Sequence, residues 1–259
     1  MIGIFDSGVG GMTVARAIRQ LMPGYPFLYF GDLARTPYGS KSPETILDYS
    51  RQNTAFLLEK GARVVVVACN TASSVAPEVL RREFPVPIFE VISPVIATVA
   101  REGRFRRIGV IGTRATVQSG VYERGLKEAV PGLEVDAEPC PLLVPLVEEG
   151  WTSRQETKMI LRRYLAPLKA RQVEALILGC THYPLLKHLI QIRIGRRVRI
   201  IDSSEEVAVA LARFLDQDPG LAAALAGQAP DRFFVSDWTP AAAATAQAIF
   251  GRPVHLEKV

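Results

Sequence analysis

Two short apolar runs, each followed by a cysteine, organise the hydrophobic pattern of this chain. Residues 64–68 read Val-Val-Val-Val-Ala before Cys69-Asn70-Thr71, and residues 176–179 read Leu-Ile-Leu-Gly before Cys180-Thr181-His182. Short continuous apolar runs mark strands buried on both faces, as in parallel sheets. Each run therefore predicts a strand that delivers its cysteine to the carboxyl edge of a sheet, where open α/β sheets hold ligands. The two cysteines lie 111 positions apart (180 minus 69).

The pattern around them alternates strand and helix. Residues 2–5 predict a strand, followed by the turn Asp6-Ser7-Gly8-Val9-Gly10-Gly11 and a helix over 12–22. Strands are expected over 27–30 and 88–92, with helices over 43–60, around 79–82 and from 94 to about 101. Ser42 before Pro43 reads as an N-cap followed by proline at the first helical position. The loop over 33–41 carries Thr36-Pro37-Tyr38-Gly39-Ser40, a composition that suits a binding loop. In the second half, strands are expected over 107–111, 133–137 and 198–201. Helices are expected over 117–129, 142–147, 154–169 and 203–216.

Residues 108–113 (Ile-Gly-Val-Ile-Gly-Thr) echo residues 2–7 (Ile-Gly-Ile-Phe-Asp-Ser) at an offset of 106, close to the 111 between the cysteines. The near-constant offset indicates an internal duplication, with Gly112 standing where the first copy has Asp6. The expected fold is α/β: two pseudo-symmetric lobes, each a mainly parallel sheet flanked by helices, with the active site in the cleft between them. The last stretch is surplus to the second lobe and should return to the first. The lobes then comprise residues 1–93 with 208–259, and residues 94–207, and the crossings near 90–94 and 202–207 form a hinge.

Composition narrows the functional classes. Hydrophobic residues make up 48% and charged residues 22%, which suits a soluble protein with a full core. No apolar run reaches the ~20 residues of a membrane span, and residues 1–6 carry no secretory pattern. Three cysteines argue against a disulfide scaffold and for a reduced, cytoplasmic setting. The net charge of +5 is spread over solvated segments without interleaved aromatics, so no nucleic-acid partner is called for. A mild positive field would help attract an acidic small molecule. The glycine-rich turn lacks the Gly-x-Gly-x-x-Gly spacing of a dinucleotide site.

Two thiols on opposite sides of one cleft suit inversion of a carbon acid, one taking a proton from one face and the other returning one to the opposite face. His182 could exchange charge with Cys180, and Asp6 could do so beside Cys69. Asn70, Thr71 and Thr181 supply donors for a carboxylate. Other readings of the cysteines are buried small hydrophobes, a zinc site from Cys69, Cys180 and His182, or a Cys–His hydrolase. Cys140, between Pro139 and Pro141, reads as a bystander; His188 and His255 read as surface residues.

The segments Asp6-Ser7-Gly8-Val9-Gly10-Gly11, Gly31-Asp32 with Pro37-Tyr38-Gly39, Ala68-Cys69-Asn70-Thr71-Ala72 and Gly179-Cys180-Thr181-His182-Tyr183-Pro184 together resemble the glutamate racemase family of the aspartate/glutamate racemase superfamily. The resemblance covers essentially the whole chain. It implies interconversion of L- and D-glutamate without cofactor or metal, supplying D-glutamate for bacterial peptidoglycan. It implies Cys69 and Cys180 as the acid/base pair, with Cys69 acting on D-glutamate and Cys180 on L-glutamate, and Asp6, Glu148 and His182 as residues that tune the thiols. Implied substrate contacts are Asp6, Ser7, Tyr38, Gly39, Asn70, Thr71, Thr116, Thr181 and His182, and a homodimer is the implied assembly. An aspartate racemase, or another two-cysteine racemase of the superfamily, is the nearest alternative. A two-lobed amino-acid-binding module is the alternative from another class, although a binder has no use for paired thiols.

Overall fold

The computed structural model describes residues 1–259, which form two parallel sheets. The strands are β1 (Ile2–Asp6), β2 (Phe27–Gly31), β3 (Val64–Val67), β4 (Ile88–Glu90), β5 (Arg107–Gly112), β6 (Glu134–Pro139), β7 (Ala175–Gly179), β8 (Arg199–Asp202), β9 (Arg232–Val235) and β10 (Leu256–Lys258). One sheet runs β10-β9-β2-β1-β3-β4 and the other β6-β5-β7-β8. The order β2-β1-β3-β4 recurs as β6-β5-β7-β8, so the duplication seen in sequence is a duplication of topology. The chain's end does return to the first sheet, where β9 pairs with β2 and β10 with β9.

Both cysteine strands are interior. β3 lies between β1 and β4, and β7 between β5 and β8. Val64, Val65, Val66 and Val67 are fully buried, as are Ala175, Leu176, Ile177 and Leu178. Burying one such side chain is worth about 1.5–3 kcal/mol, so the placement of each strand, and of the cysteine after it, is strongly determined. The register sets Val67 beside Phe5 of β1, which puts Cys69 level with the turn after Asp6.

The largest core cluster is shared between the sheets. It joins Ile4 and Val66 of the first sheet to Val110 and Ile177 of the second. Val14 and Ile18 from helix Met12–Leu21, Val95 and Val99 from helix Ser93–Glu102, and Val207 and Leu211 from helix Ser203–Gln217 complete it. Two smaller clusters cover the outer faces.

Local departures from the sequence reading have physical causes. The helix expected over 117–129 is two, Arg114–Gln118 and Val121–Ala129, because Gly120 takes a left-handed φ of +65° between them. β4 stops at Glu90 because that buried carboxylate turns back to accept from the N–H groups of Ile92 and Ser93. β6 extends to Pro139, tolerated because β6 is an edge strand.

Candidate active site

The two cysteine motifs meet at the carboxyl edges of β3 and β7. Cys69 precedes a single helical turn, Asn70–Ser73, and Cys180 precedes the turn Tyr183–Leu186; each cysteine is only 5% exposed. The Cys69 thiol lies 3.6 Å from the Ser7 hydroxyl. Cys180 Sγ lies 3.9 Å from His182 Nδ1, and His182 Nε2 lies 3.1 Å from Glu148 Oε1. A chain of three groups thus runs from the second thiol outward to a half-buried carboxylate.

Asp6 is fully buried, and the glycine-rich turn wraps around it. The N–H groups of Gly8 and Gly11 both donate to Asp6 Oδ2 at 3.0 Å. These backbone donors are spent on the chain's own carboxylate. Gly10 has a different reason: a Cβ there would lie 2.4 Å from His182 Nδ1 and 2.6 Å from Thr181 Oγ1. The first sheet's turn packs backbone-to-side-chain against the second sheet's cysteine motif.

Between the motifs is a cavity of about 340 Å³, the size of a small-ligand site. Ser7, Cys69, Asn70 and Thr71 line one side, Glu148, Cys180, Thr181 and His182 the other, and Tyr38 and Gly39 close it from the loop. Ten of the residues expected from sequence therefore converge. Asp6 and Thr116 stand one layer back. Asp6 accepts from the Thr181 hydroxyl, and Thr116 Oγ1 lies 3.3 Å from Thr71 Oγ1 and 2.9 Å from Thr113 Oγ1. The Tyr38 hydroxyl faces away from a ligand: it donates to the buried Asp32 carboxylate and accepts from Asn53 Nδ2 at 3.0 Å. The Asn70 amide bridges the sheets, accepting from Tyr122 OH at 2.7 Å and donating to Ser203 Oγ at 3.3 Å.

The family model for Asp/Glu/hydantoin racemases matches residues 12–212. The chain belongs to that family. It is 51% identical to a glutamate racemase of Aquifex aeolicus over 84% of each chain. Its fold superposes on the crystal structure of a Bacillus anthracis glutamate racemase isoform with a TM-score of 0.93, at 34% identity, covering 100% of this chain and 97% of that one. A Francisella tularensis glutamate racemase in complex with D-glutamate matches with a TM-score of 0.90, at 32% identity, covering 100% of this chain and 96% of that one.

In this racemase-family chain the two thiols sit in unlike surroundings. Burial, reinforced by the Asp6 charge, pushes the Cys69 thiol up to about 12. Burial works against protonation of His182, but hydrogen bonds to Cys180 and Glu148 and the charge on both outweigh it, raising the imidazole to about 10. A protonated His182 thus provides a counter-charge beside Cys180. Asp6 is raised by burial, with His182 and the backbone donors of Gly11, Gly8 and Ser7 opposing the rise. All three cysteines are free, and no three His, Cys, Asp or Glu side chains are arranged to hold a metal ion. Cys140 is buried away from the cavity against the Glu138 carbonyl, and His188 and His255 are exposed.

Sequence reasoning passed over two polar lining residues of the second lobe, Thr113 and Arg114, and the apolar lining of Pro141, Val144 and Pro145. Thr113 was within reach, since it is the counterpart of Ser7 at the offset of 106. Nothing in the sequence signalled Arg114.

Proposed function

We propose that this chain interconverts L- and D-glutamate, with Cys69 and Cys180 as the two acid/base residues. The observation that carries the reading is the pair of thiols at matched strand ends of two sheets, both lining one cavity. In the L-to-D direction, Cys180 as thiolate takes the α-proton of L-glutamate, and the electron pair stays on the α-carbon and its carboxylate. The Cys69 thiol then gives its proton to the other face. The products are D-glutamate, a Cys180 thiol and a Cys69 thiolate, and exchange with solvent resets the pair. The reverse direction swaps the roles.

The unlike surroundings suit this division of labour. Cys69, held as a thiol by burial and Asp6, is ready to donate. The His182 imidazolium, backed by Glu148, lies beside the Cys180 sulfur. Ser7 and Thr71 offer hydroxyl donors to the substrate while the Thr181 hydroxyl is spent on Asp6, the remaining Asn70 N–H adds another, and the Tyr38-Gly39 segment contributes backbone and ring rather than the tyrosine hydroxyl. The lobes that carry the two thiols are residues 1–93 with 208–259 and residues 94–207. The reading places the product in the supply of D-glutamate for peptidoglycan, and the assembly as a homodimer in the cytoplasm.

Incubating purified protein with L-glutamate, without added cofactor, and following circular dichroism tests the proposal. Decay of the signal to zero, faster than with L-aspartate, is expected. Faster loss of the L-aspartate signal, or a requirement for an added cofactor, would overturn it.

A further inference from the structure

Arg114 is the one side chain lining the cavity that carries a charge with nothing in the chain to balance it. It opens the short helix Arg114–Gln118 and is exposed, whereas Cys69 and Cys180 at the bottom of the same cavity are each only 5% exposed. Arg19, Arg35, Arg51 and Arg232 are each tied to a carboxylate, but Arg114 takes part in no ion pair. The other charged groups of the lining, His182 and Glu148, are committed to each other and to Cys180. What remains is neutral: the hydroxyls of Ser7, Ser40, Thr71 and Thr113 and the Asn70 amide.

A cavity with neutral donors alone has a selection problem. A hydroxyl donates about as readily to an amide oxygen as to a carboxylate oxygen, so it separates glutamate from glutamine poorly. A cation does separate them, because it meets a full negative charge in one case and a dipole in the other. The depth order assigns the cation its end of the substrate. The α-carbon must reach both thiols at the bottom, which directs the side-chain carboxylate toward the mouth, where Arg114 stands. The guanidinium fork is suited to grip both oxygens of a carboxylate.

We propose that Arg114 draws in and holds the side-chain carboxylate, and so sets the preference for a dicarboxylic amino acid. This rests on the racemase reading above and deepens it. Arg114 is a specificity residue in this account; the chemical step stays with the thiols. Because the enantiomers have equal free energies, kcat/KM must change by the same factor in both directions.

The test compares wild type with Arg114→Gln and Arg114→Lys, using L- and D-glutamate over a series of salt concentrations, together with solvent-deuterium exchange at the α-position of L-glutamine. For wild type, KM for glutamate should rise with salt as the charge is screened. For Arg114→Gln, KM should rise about tenfold at low salt, with kcat within about threefold. The salt dependence should flatten, and the preference for glutamate over glutamine should fall by the same factor. Arg114→Lys should restore the salt dependence. A merely structural role would not move the salt slope, and far-UV circular dichroism checks folding of each variant. Unchanged KM, salt slope and glutamine discrimination in Arg114→Gln would overturn the inference while leaving the racemase reading intact. A fall in kcat alone would overturn it equally. If wild type exchanges no α-hydrogen of glutamate, the racemase reading fails and this inference fails with it.

Discussion

The Thr181 hydroxyl, one residue past the second thiol, donates to Asp6 Oδ1 at the edge of the first sheet across 3.4 Å. The Thr13 hydroxyl adds a second tie, donating to the Thr181 carbonyl at 3.0 Å and to the Gly10 carbonyl at 2.9 Å. These contacts fix the relative position of the two cysteine motifs. They depend on the absence of a side chain at Gly10, whose backbone is pressed against His182.

Gly10→Ala should therefore damage activity far more than stability. An added methyl must displace His182 and Thr181, and a 1 Å misplacement costs about 100-fold in rate. Gly24→Ala is the control, since an added carbon there meets nothing within 4 Å. Racemisation rate and Tm measured on both variants check this. Equal losses in the two variants would contradict it.

Glu148→Gln should lower kcat about 10- to 100-fold, less than the roughly 100- to 10,000-fold of a group that itself transfers the proton, because the carboxylate acts through His182. It removes one of the two partners that raise His182, so His182 should titrate below its wild-type value of about 10. NMR titration of the His182 ring in wild type and variant checks this. An unmoved titration would mean that the carboxylate does not act through the imidazole.

Stability should fall as pH rises from about 6.5 toward 10. His182 binds its proton more tightly folded than unfolded, so its contribution is complete below 6.5 and lost as pH passes through about 10. Cys69, raised from 9.0 to about 12, acts in the same direction at higher pH. Urea unfolding across this range, on wild type and His182→Asn, checks the sign. The variant should lose much of the slope between 6.5 and 10.

Asp32→Asn should raise KM with little change in kcat. Asp32 is fully buried and accepts from Tyr38 OH, from Arg35 Nε at 2.6 Å and from Ser236 Oγ at 3.0 Å. Ser236 also accepts from the Ala34 N–H at 2.9 Å, so this carboxylate holds the loop that closes the cavity. Leaving the charge of Arg35 without its partner should also cost about 3–5 kcal/mol of stability. Steady-state kinetics and urea unfolding read both effects. A fall in kcat at unchanged KM would contradict the assignment.

Much of this was legible in the sequence because it depends on local pattern. The all-apolar runs before Cys69 and Cys180 placed two interior strands, and the offsets of 106 and 111 revealed the repeat. What was not legible depends on contacts distant in sequence. The backbone donors of the glycine-rich turn are spent on Asp6, which the turn's sequence does not reveal. Tyr38 was expected as a substrate contact and lines the cavity, but that Asp32 holds its hydroxyl could not be read from sequence. The core shared by Val110 and Ile177 of the second sheet with Ile4 and Val66 of the first was likewise not readable from local pattern. Arg114 shows itself only when its neighbours are known, because an unpaired arginine is defined by the partners it lacks.

The division of labour between the thiols is tested most directly in D₂O. Recovered substrate and product from the first few per cent of conversion are analysed by chiral separation and mass spectrometry, starting from each enantiomer. If Cys69 and Cys180 serve opposite faces, product carries solvent deuterium from the first turnover, while recovered substrate stays largely unlabelled. Deuterium accumulating in recovered substrate as fast as in product, from both enantiomers, would indicate a single shared base and contradict the account.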